Sequence, residues 1–287
     1  MFRGWVMIIA VIGATGALGR HVVPRLGECG HHVRAIVRLP SQVERLSQMG
    51  VEAVLGDILI PETLVPATGN CDAALHLATA IPKTGNAQDW HMNDRIRREG
   101  THNFLAACQT SGVRRYVQQS IAFLYGDSGT HIVNEEAALH PTAITQSALD
   151  MESFVRATGL DWCILRGGLF YGKHTGREDK WRQAAQAGTL QIPGDGTALL
   201  SLAHVVDMAR AAVMAIERAK AGSIYNVVDD EPVDYRTLYH YIAAQENGPQ
   251  PQAGGEAVLP SVGCSNTRIK IELGWEPLYA TFRAGLA

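Results

Sequence analysis

Three glycines spaced three apart, Gly13, Gly16 and Gly19, stand directly behind the apolar run Val6–Ile12 in the segment Gly13-Ala14-Thr15-Gly16-Ala17-Leu18-Gly19. Residues without a Cβ at such places let a chain leave a strand sharply, let backbone N–H groups close on a pyrophosphate and let the next helix pack tightly, its N-terminus favouring the phosphate charge. The spacing alone is a weak signal. A strand before it, a helix after it and a second strand ending near residue 38 supply the context that a dinucleotide site requires. The end of that second strand selects the nucleotide: an acid would bind a ribose 2′-hydroxyl, whereas a basic residue accommodates a 2′-phosphate. The sequence reads Ile36-Val37-Arg38-Leu39-Pro40-Ser41, so the Arg38 guanidinium, a fork of donors suited to phosphate, favours NADP(H) over NAD. Arg20 and Arg34 could assist, although a lone arginine is more often a solvated surface group.

These groups need a scaffold, and the apolar runs describe one. Val6–Ile12, Val33–Arg38, Val51–Leu55, Ala73–Leu77, Tyr116–Gln119 and Trp162–Arg166 read as strands buried on both faces. Helical stretches alternate with them. Ser41-Gln42-Val43-Glu44 is a capping-box sequence with Gly50 to close its helix, Asp89–Gly112 is long enough for a multi-turn crossover, and Ala148–Thr158 places Leu149, Met151, Phe154 and Val155 near one face. Strand and helix in alternation predict an α/β fold, a doubly wound Rossmann-like parallel sheet with right-handed crossovers. After Gly167 the rhythm changes. A turn at Ile192–Gly196, a helix at Val205–Arg218, a strand at Ser223–Val228, a helix at Tyr235–Gln245 and a linker at Asn247–Gly255 predict a smaller C-terminal substrate lobe. The expected division is residues 1–166 for the nucleotide-binding domain, with about 198–228 returning to it, and 167–287 for the lobe.

Composition sets the outer bounds. With 46% hydrophobic and 18% charged residues in a chain of 287, a sizeable core is expected and disorder is not. The net charge of −3 offers no whole-chain attraction to nucleic acid. Residues 1–50 nevertheless hold six arginines (Arg3, Arg20, Arg25, Arg34, Arg38, Arg45) against Glu28 and Glu44, a basic island within an acidic protein. The five cysteines (Cys29, Cys71, Cys108, Cys163, Cys264) include no C-x-x-C pair, and His31-His32 lacks a second ligand set at metal spacing. Val6–Ile12 is too short to span a bilayer and runs on into the glycine turn. The expectation is a cytoplasmic monomer or homodimer with a small-molecule substrate, and with no metal, nucleic-acid or membrane partner.

Further motifs accompany the glycine turn: Leu55-Gly56-Asp57-Ile58, Leu75-His76-Leu77-Ala78-Thr79, Glu99-Gly100-Thr101, Arg114–Ser120, Leu124-Tyr125-Gly126-Asp127, Trp162–Gly172, Gly194-Asp195-Gly196, His204–Ala209 and Leu273–Pro277. Over nearly its whole length the chain resembles the short-chain dehydrogenase/reductase superfamily, in the extended or atypical branch that includes the nucleotide-sugar epimerase/dehydratase relatives. The resemblance implies that Asp57 and Ile58 lie beside the adenine and that Leu77, Ala78 and Thr79 meet the cofactor, joining Gly13, Thr15, Gly16, Ala17, Leu18, Gly19 and Arg38.

The same resemblance implies a reaction engine, and here the sequence departs from it. The family uses a tyrosine as acid/base, a lysine four residues later to lower its pKa, and a Ser or Thr to polarise the carbonyl. Counted from Glu152, the tyrosine position is Ile144 and the lysine position Ala148; counted from Tyr125-Gly126, the Ser/Thr position is Ile121; counted from Gly100-Thr101, the supporting asparagine is Arg97. All four are changed. No tyrosine lies between Tyr125 and Tyr171, so no slip of register restores the relay.

Three readings follow. An NADPH-dependent reductase could act on a substrate that needs no tyrosine, such as an iminium or a conjugated C=C. A sensor or scaffold could bind the nucleotide without chemistry. An epimerase/dehydratase, lyase, isomerase or cyclase could use the pocket differently. By family position the pocket candidates are Ser120, Lys173 and His174, against the plainer readings that Ser120 closes a strand and that the other two are solvated loop residues. His76 and His204 read as structural. The intact Tyr171–Gly176 loop and C-terminal lobe favour an enzyme, an oxidoreductase on a small organic substrate.

Overall fold

The computed structural model describes residues 6–82, 90–257 and 259–287; Arg3 of the basic island and Asp89, the expected start of the crossover helix, lie outside them. Seven strands form one sheet in the order β7-β6-β5-β4-β1-β2-β3, where β1 is Ile8–Ile12, β2 His32–Val37, β3 Glu52–Leu55, β4 Ala73–His76, β5 Arg115–Ile121, β6 Asp161–Gly167 and β7 Ser223–Val227. The apolar runs thus become the strands, with ends moved by one or two residues. β1 begins at Ile8 because Val6 is exposed, and β2 stops at Val37, which leaves Arg38 just beyond the strand. β3 departs from the expected two-sided burial. It is the edge strand, and Glu52 and Leu55 are exposed.

β1 pairs in parallel with β2 on one side, Val11 opposite Ala35, and with β4 on the other, Val11 opposite Leu75. The chain therefore moves outward through β2 and β3, then crosses back to lay β4 against the free side of β1. Where strand order reverses in this way, the carboxyl ends of the two strands open a crevice, the usual ligand site of open α/β sheets. The order of the first five strands places the ends of β1, β2, β3 and β4 side by side, so four separate sequence motifs converge.

Helix α1 (Gly19–Glu28) buries Val22, Val23 and Leu26. The expected capping box is displaced: α2 runs Pro40–Gln48 with Leu39 at its cap and Pro40 in the first turn. Gln42, not Glu44, reaches back, its Oε1 accepting the Leu39 N–H at 3.2 Å. Proline suits the first helical position because its missing N–H has no partner there. Gly50 (φ +76°) ends the helix as expected, and the Val51 N–H donates to Leu46 O. After the short α3 (Leu64–Thr68), the crossover is a broken rod: α4 (His91–Arg95), a π turn (Ile96–Gly100) and α5 (Thr101–Thr110).

Helix α6 (Gln146–Arg156) also differs from its expected face. Ala148, Met151, Glu152 and Val155 are buried while Phe154 is exposed. A carboxylate that finds partners inside has displaced an aromatic side chain from the inner face.

Two compact units divide the chain, one of Met1–Ser120, Ala143–Leu165 and Ala209–Ile224, the other of Ile121–Thr142, Arg166–Met208 and Tyr225–Ala287. The first is centred on Ala10, Ile12, Ile36, Phe104, Tyr116 and Ile164. The second is centred on Tyr171, Trp181, Leu190, Leu238, Val262 and Phe282. In the second unit, α7 (Arg177–Gln186) precedes the strand Gln191–Pro193, and α9 (Tyr235–Gln245) follows later in the chain; between them α8 (Val205–Arg218) begins in the second unit and from Ala209 belongs to the first. The stretch expected as a linker is in part a strand. Gln252–Gly255 pairs in parallel with Gln191–Pro193, since backbone N–H and C=O groups can complete a ladder whatever the side chains are. Among the described residues, no helix is long and apolar enough to cross a membrane.

Candidate functional site

The site begins at the turn leaving β1. Gly13 has φ +88°, and a Cβ there would stand 2.6 Å from both Leu77 C and Ala78 N. Any side chain would collide with the end of β4, so this glycine is what lets the β1 turn lie against Leu77-Ala78-Thr79. A Cβ on Gly19 would strike the carbonyl groups of Gly13 and Ala14. Gly16 has more room and donates its N–H to Gly13 O at 3.0 Å. The first turn of α1 carries no acid, and its cap residue Leu18 offers no side-chain cap. No acidic side chain therefore offsets its positive end, as an anion site needs.

Arg38 follows β2 directly, is exposed, and has no hydrogen bond or ion pair among the described residues. Arg34 is committed elsewhere: Nε donates to Glu52 at 2.6 Å and Nη1 to Gly69 O. Arg20 donates from Nε to Thr15 O at 3.0 Å and so braces the glycine turn. Sequence reasoning missed a further brace. Gln42 Nε2 donates to Thr15 Oγ1 at 3.3 Å while its Oε1 holds Leu39, tying the turn after β1 to the one after β2. Asp57 Oδ1 accepts the Leu59 N–H at 2.9 Å, and Ile58 is buried with its carbonyl held by Asn103. These residues line the adjacent ends of β1 to β4. The backbone approach at Gly13 and Gly19 and the helix end without an acid fit a dinucleotide.

The chemistry-bearing positions look different. Ala148 is fully buried and Ile144 partly so; neither side chain can donate or accept a proton. Ser120, at the end of β5, is buried and its hydroxyl donates to Glu152 Oε1 at 2.7 Å, while Glu152 also pairs with Arg156 at 3.1 Å. The serine proton is thus already directed at a carboxylate. Arg97 is buried in the π turn, its Nη1 3.4 Å from Ile144 O and 3.3 Å from Ser147 Oγ.

In the second unit, Ile121 is half-buried, and Lys173 and His174 are exposed, with His174 at φ +74°. The two tyrosines that bracket the empty interval are both engaged there. Tyr125 donates to Asn226 Oδ1 at 2.8 Å and accepts from Arg166, with burial pushing its hydroxyl up to about 12. Tyr171 donates to Asp229 Oδ2 at 2.8 Å and is also raised by burial.

Asp229 is a group that sequence reasoning did not single out. It is buried, accepts from Tyr171 and from the His204 N–H, and burial pushes its carboxyl up to about 7 despite those two hydrogen bonds. The folded state holds this proton more tightly than the unfolded chain does, so its stabilising contribution is complete at low pH and is lost as pH rises toward 7. The stability of the wild type relative to Asp229→Asn should therefore fall by on the order of 2–3 kcal/mol between pH 5 and pH 8, as read from urea unfolding of both proteins. His76, which burial pushes down to about 3, acts in the opposite sense below pH 6.5 but cancels in the difference. A pH-independent difference would contradict the assignment.

The family described as NAD(P)H-binding matches residues 13–218. The chain belongs to that family. Among curated relatives, a 3-diazoavenalumate denitrifying reductase from a Streptomyces species is 29% identical over 98% of this chain and 99% of the relative. A 2-alkyl-3-oxoalkanoate reductase of Stenotrophomonas maltophilia is 27% identical over 85% and 77% respectively. Among solved structures, a dTDP-glucose 4,6-dehydratase from Streptomyces venezuelae with NAD bound superposes with a TM-score of 0.86, at 21% identity, over 97% of this chain and 94% of that one. The NAD(P)H-binding chain thus shares the fold of the epimerase/dehydratase short-chain dehydrogenases, and its named relatives include reductases.

Proposed function

We propose that the protein is an NADPH-dependent reductase acting on a small organic electrophile that requires no proton from a tyrosine. The observation that supports this reading is the contrast within one unit: a close backbone approach at Gly13 and Gly19 and an exposed Arg38 suited to a nucleotide phosphate, against Ile144 and Ala148 at the positions where the proton relay would be. Gly13 to Gly19 and the open end of α1 would hold the pyrophosphate, Arg38 the 2′-phosphate, Asp57 and Ile58 the adenine side, and Leu77 to Thr79 the far side of the crevice. NADPH, when bound, supplies a hydride.

An acceptor that already carries positive charge completes its reduction on receiving hydride. An arenediazonium is such a group, since hydride addition and loss of dinitrogen leave a neutral arene and need no protein acid. The diazo substrate named for the Streptomyces relative, which matches along nearly the whole chain, supports this class over a ketone. Chemistry of this kind leaves Ile144 and Ala148 free to shape the site as apolar walls.

The assay is NADPH oxidation by the purified protein with 4-hydroxybenzenediazonium, compared with 4-hydroxyacetophenone, each corrected for the reaction without protein. Protein-dependent reduction of the diazonium and none of the ketone is expected. Equal turnover of the ketone would overturn the reading.

A further inference from the structure

Arg97 is the most unusual charge in the first unit. It is 4% exposed and lies in the five-residue π turn between α4 and α5, a rare geometry that concentrates at functional sites. Of its guanidinium nitrogens, Nη1 alone has partners among the described residues, and both are neutral oxygens at long range, Ile144 O at 3.4 Å and Ser147 Oγ at 3.3 Å. Among the described residues it forms no ion pair: Asp94 attracts it from beyond salt-bridge distance, and Arg98, itself paired with Asp150, repels it. Burial, with the repulsion of Arg98 added, pushes the guanidinium down to about 10 against the attraction of Asp94, and a buried cation with no carboxylate hydrogen-bonded to it is costly.

The surroundings make the cost greater. Ile144 and Ser147 belong to the entry of α6, an eleven-residue helix whose first turn has no acid and whose cap residue Thr145 makes no side-chain cap hydrogen bond. The N–H groups of Gln146 and Ser147 have no acceptor among the described residues. A helix N-terminus attracts anions and disfavours cations. A guanidinium beside the entry of a helix, with no carboxylate hydrogen-bonded to either among the described residues, is an arrangement that a bound carboxylate would resolve, since it is planar and can accept both from a guanidinium fork and from backbone N–H groups.

We propose that Arg97 and the first turn of α6 form a seat for a carboxylate group of the substrate. The seat lies beside Ile144 and Ala148, where the superfamily keeps its tyrosine and lysine, so the site has exchanged a proton relay for an anion anchor. The inference rests on the reductase reading and specifies its substrate class: an electrophile bearing a carboxylate.

The test titrates NADPH-loaded protein with trans-cinnamate and, separately, with methyl cinnamate, in wild type, Arg97→Lys and Arg97→Met. Cinnamate is expected to bind wild type at least tenfold more tightly than the ester. Arg97→Met should weaken cinnamate by roughly 10- to 100-fold with partial recovery in Arg97→Lys, while ester and NADPH affinities stay constant. Equal binding of acid and ester by wild type, no saturable cinnamate binding, or an unchanged cinnamate affinity in Arg97→Met would each overturn the seat. The wild-type comparison of acid with ester stands even if the methionine variant fails to fold. Failure of NADPH itself to bind would instead strike the reductase reading.

Discussion

Replacing Arg38 by glutamate is expected to weaken NADPH binding by about 100-fold while leaving NADH within about threefold of wild type. Arg38 is exposed and has no partner among the described residues, so its loss breaks nothing inside the protein. All of the effect falls on the ligand. One charge-assisted hydrogen bond contributes about 1.5–3 kcal/mol and each 1.4 kcal/mol is tenfold; the introduced carboxylate adds repulsion of a 2′-phosphate. NADH carries a hydroxyl there and forfeits neither term. Fluorescence titration with both nucleotides measures the split, and an equal loss of both would refute the 2′-phosphate role.

The second large effect should be indifferent to the nucleotide. At Gly13 the backbone is left-handed, and an added Cβ would overlap the main chain of Leu77 and Ala78 at 2.6 Å. Gly13→Ala therefore cannot be absorbed by turning a side chain. Either the turn after β1 or the end of β4 must move, and both belong to the cradle. We expect a loss of about 2–4 kcal/mol in unfolding free energy and of at least 100-fold in affinity for NADPH and NADH alike. Gly16→Ala is the control: its Cβ meets only Gly13 O at 3.3 Å, and the expected change is several-fold smaller. The ratio between the two variants separates a steric requirement from a general dislike of substitution in the loop.

Much of this was legible in the sequence because the features concerned are local. Apolar runs become strands whenever both faces are covered, and the glycine turn and Arg38 announce themselves by position relative to those runs. What escaped was whatever depends on a partner far along the chain. Glu152 served as a landmark for counting, yet nothing in its neighbourhood says that it will be buried against Ser120, 32 residues away. That burial is also why Phe154, expected to face inward, stands outside. Gln42 reaching Thr15, Gln252–Gly255 joining Gln191–Pro193 and Asp229 meeting Tyr171 are likewise contacts across long stretches of chain. Arg97 was noticed as a replaced asparagine. Its burial with no ion pair among the described residues could not be read, since arginines are mostly solvated and periodicity does not mark a π turn.

The most direct measurement follows deuterium from NADPH labelled at one face of the nicotinamide C4 into the product of 4-hydroxybenzenediazonium reduction. Protein-dependent transfer from one face, with the other face retained in the oxidised cofactor, is the expected result for a reductase that holds its nucleotide in a single orientation. Saturable NADPH binding with no protein-dependent transfer would contradict it and leave a nucleotide-binding scaffold.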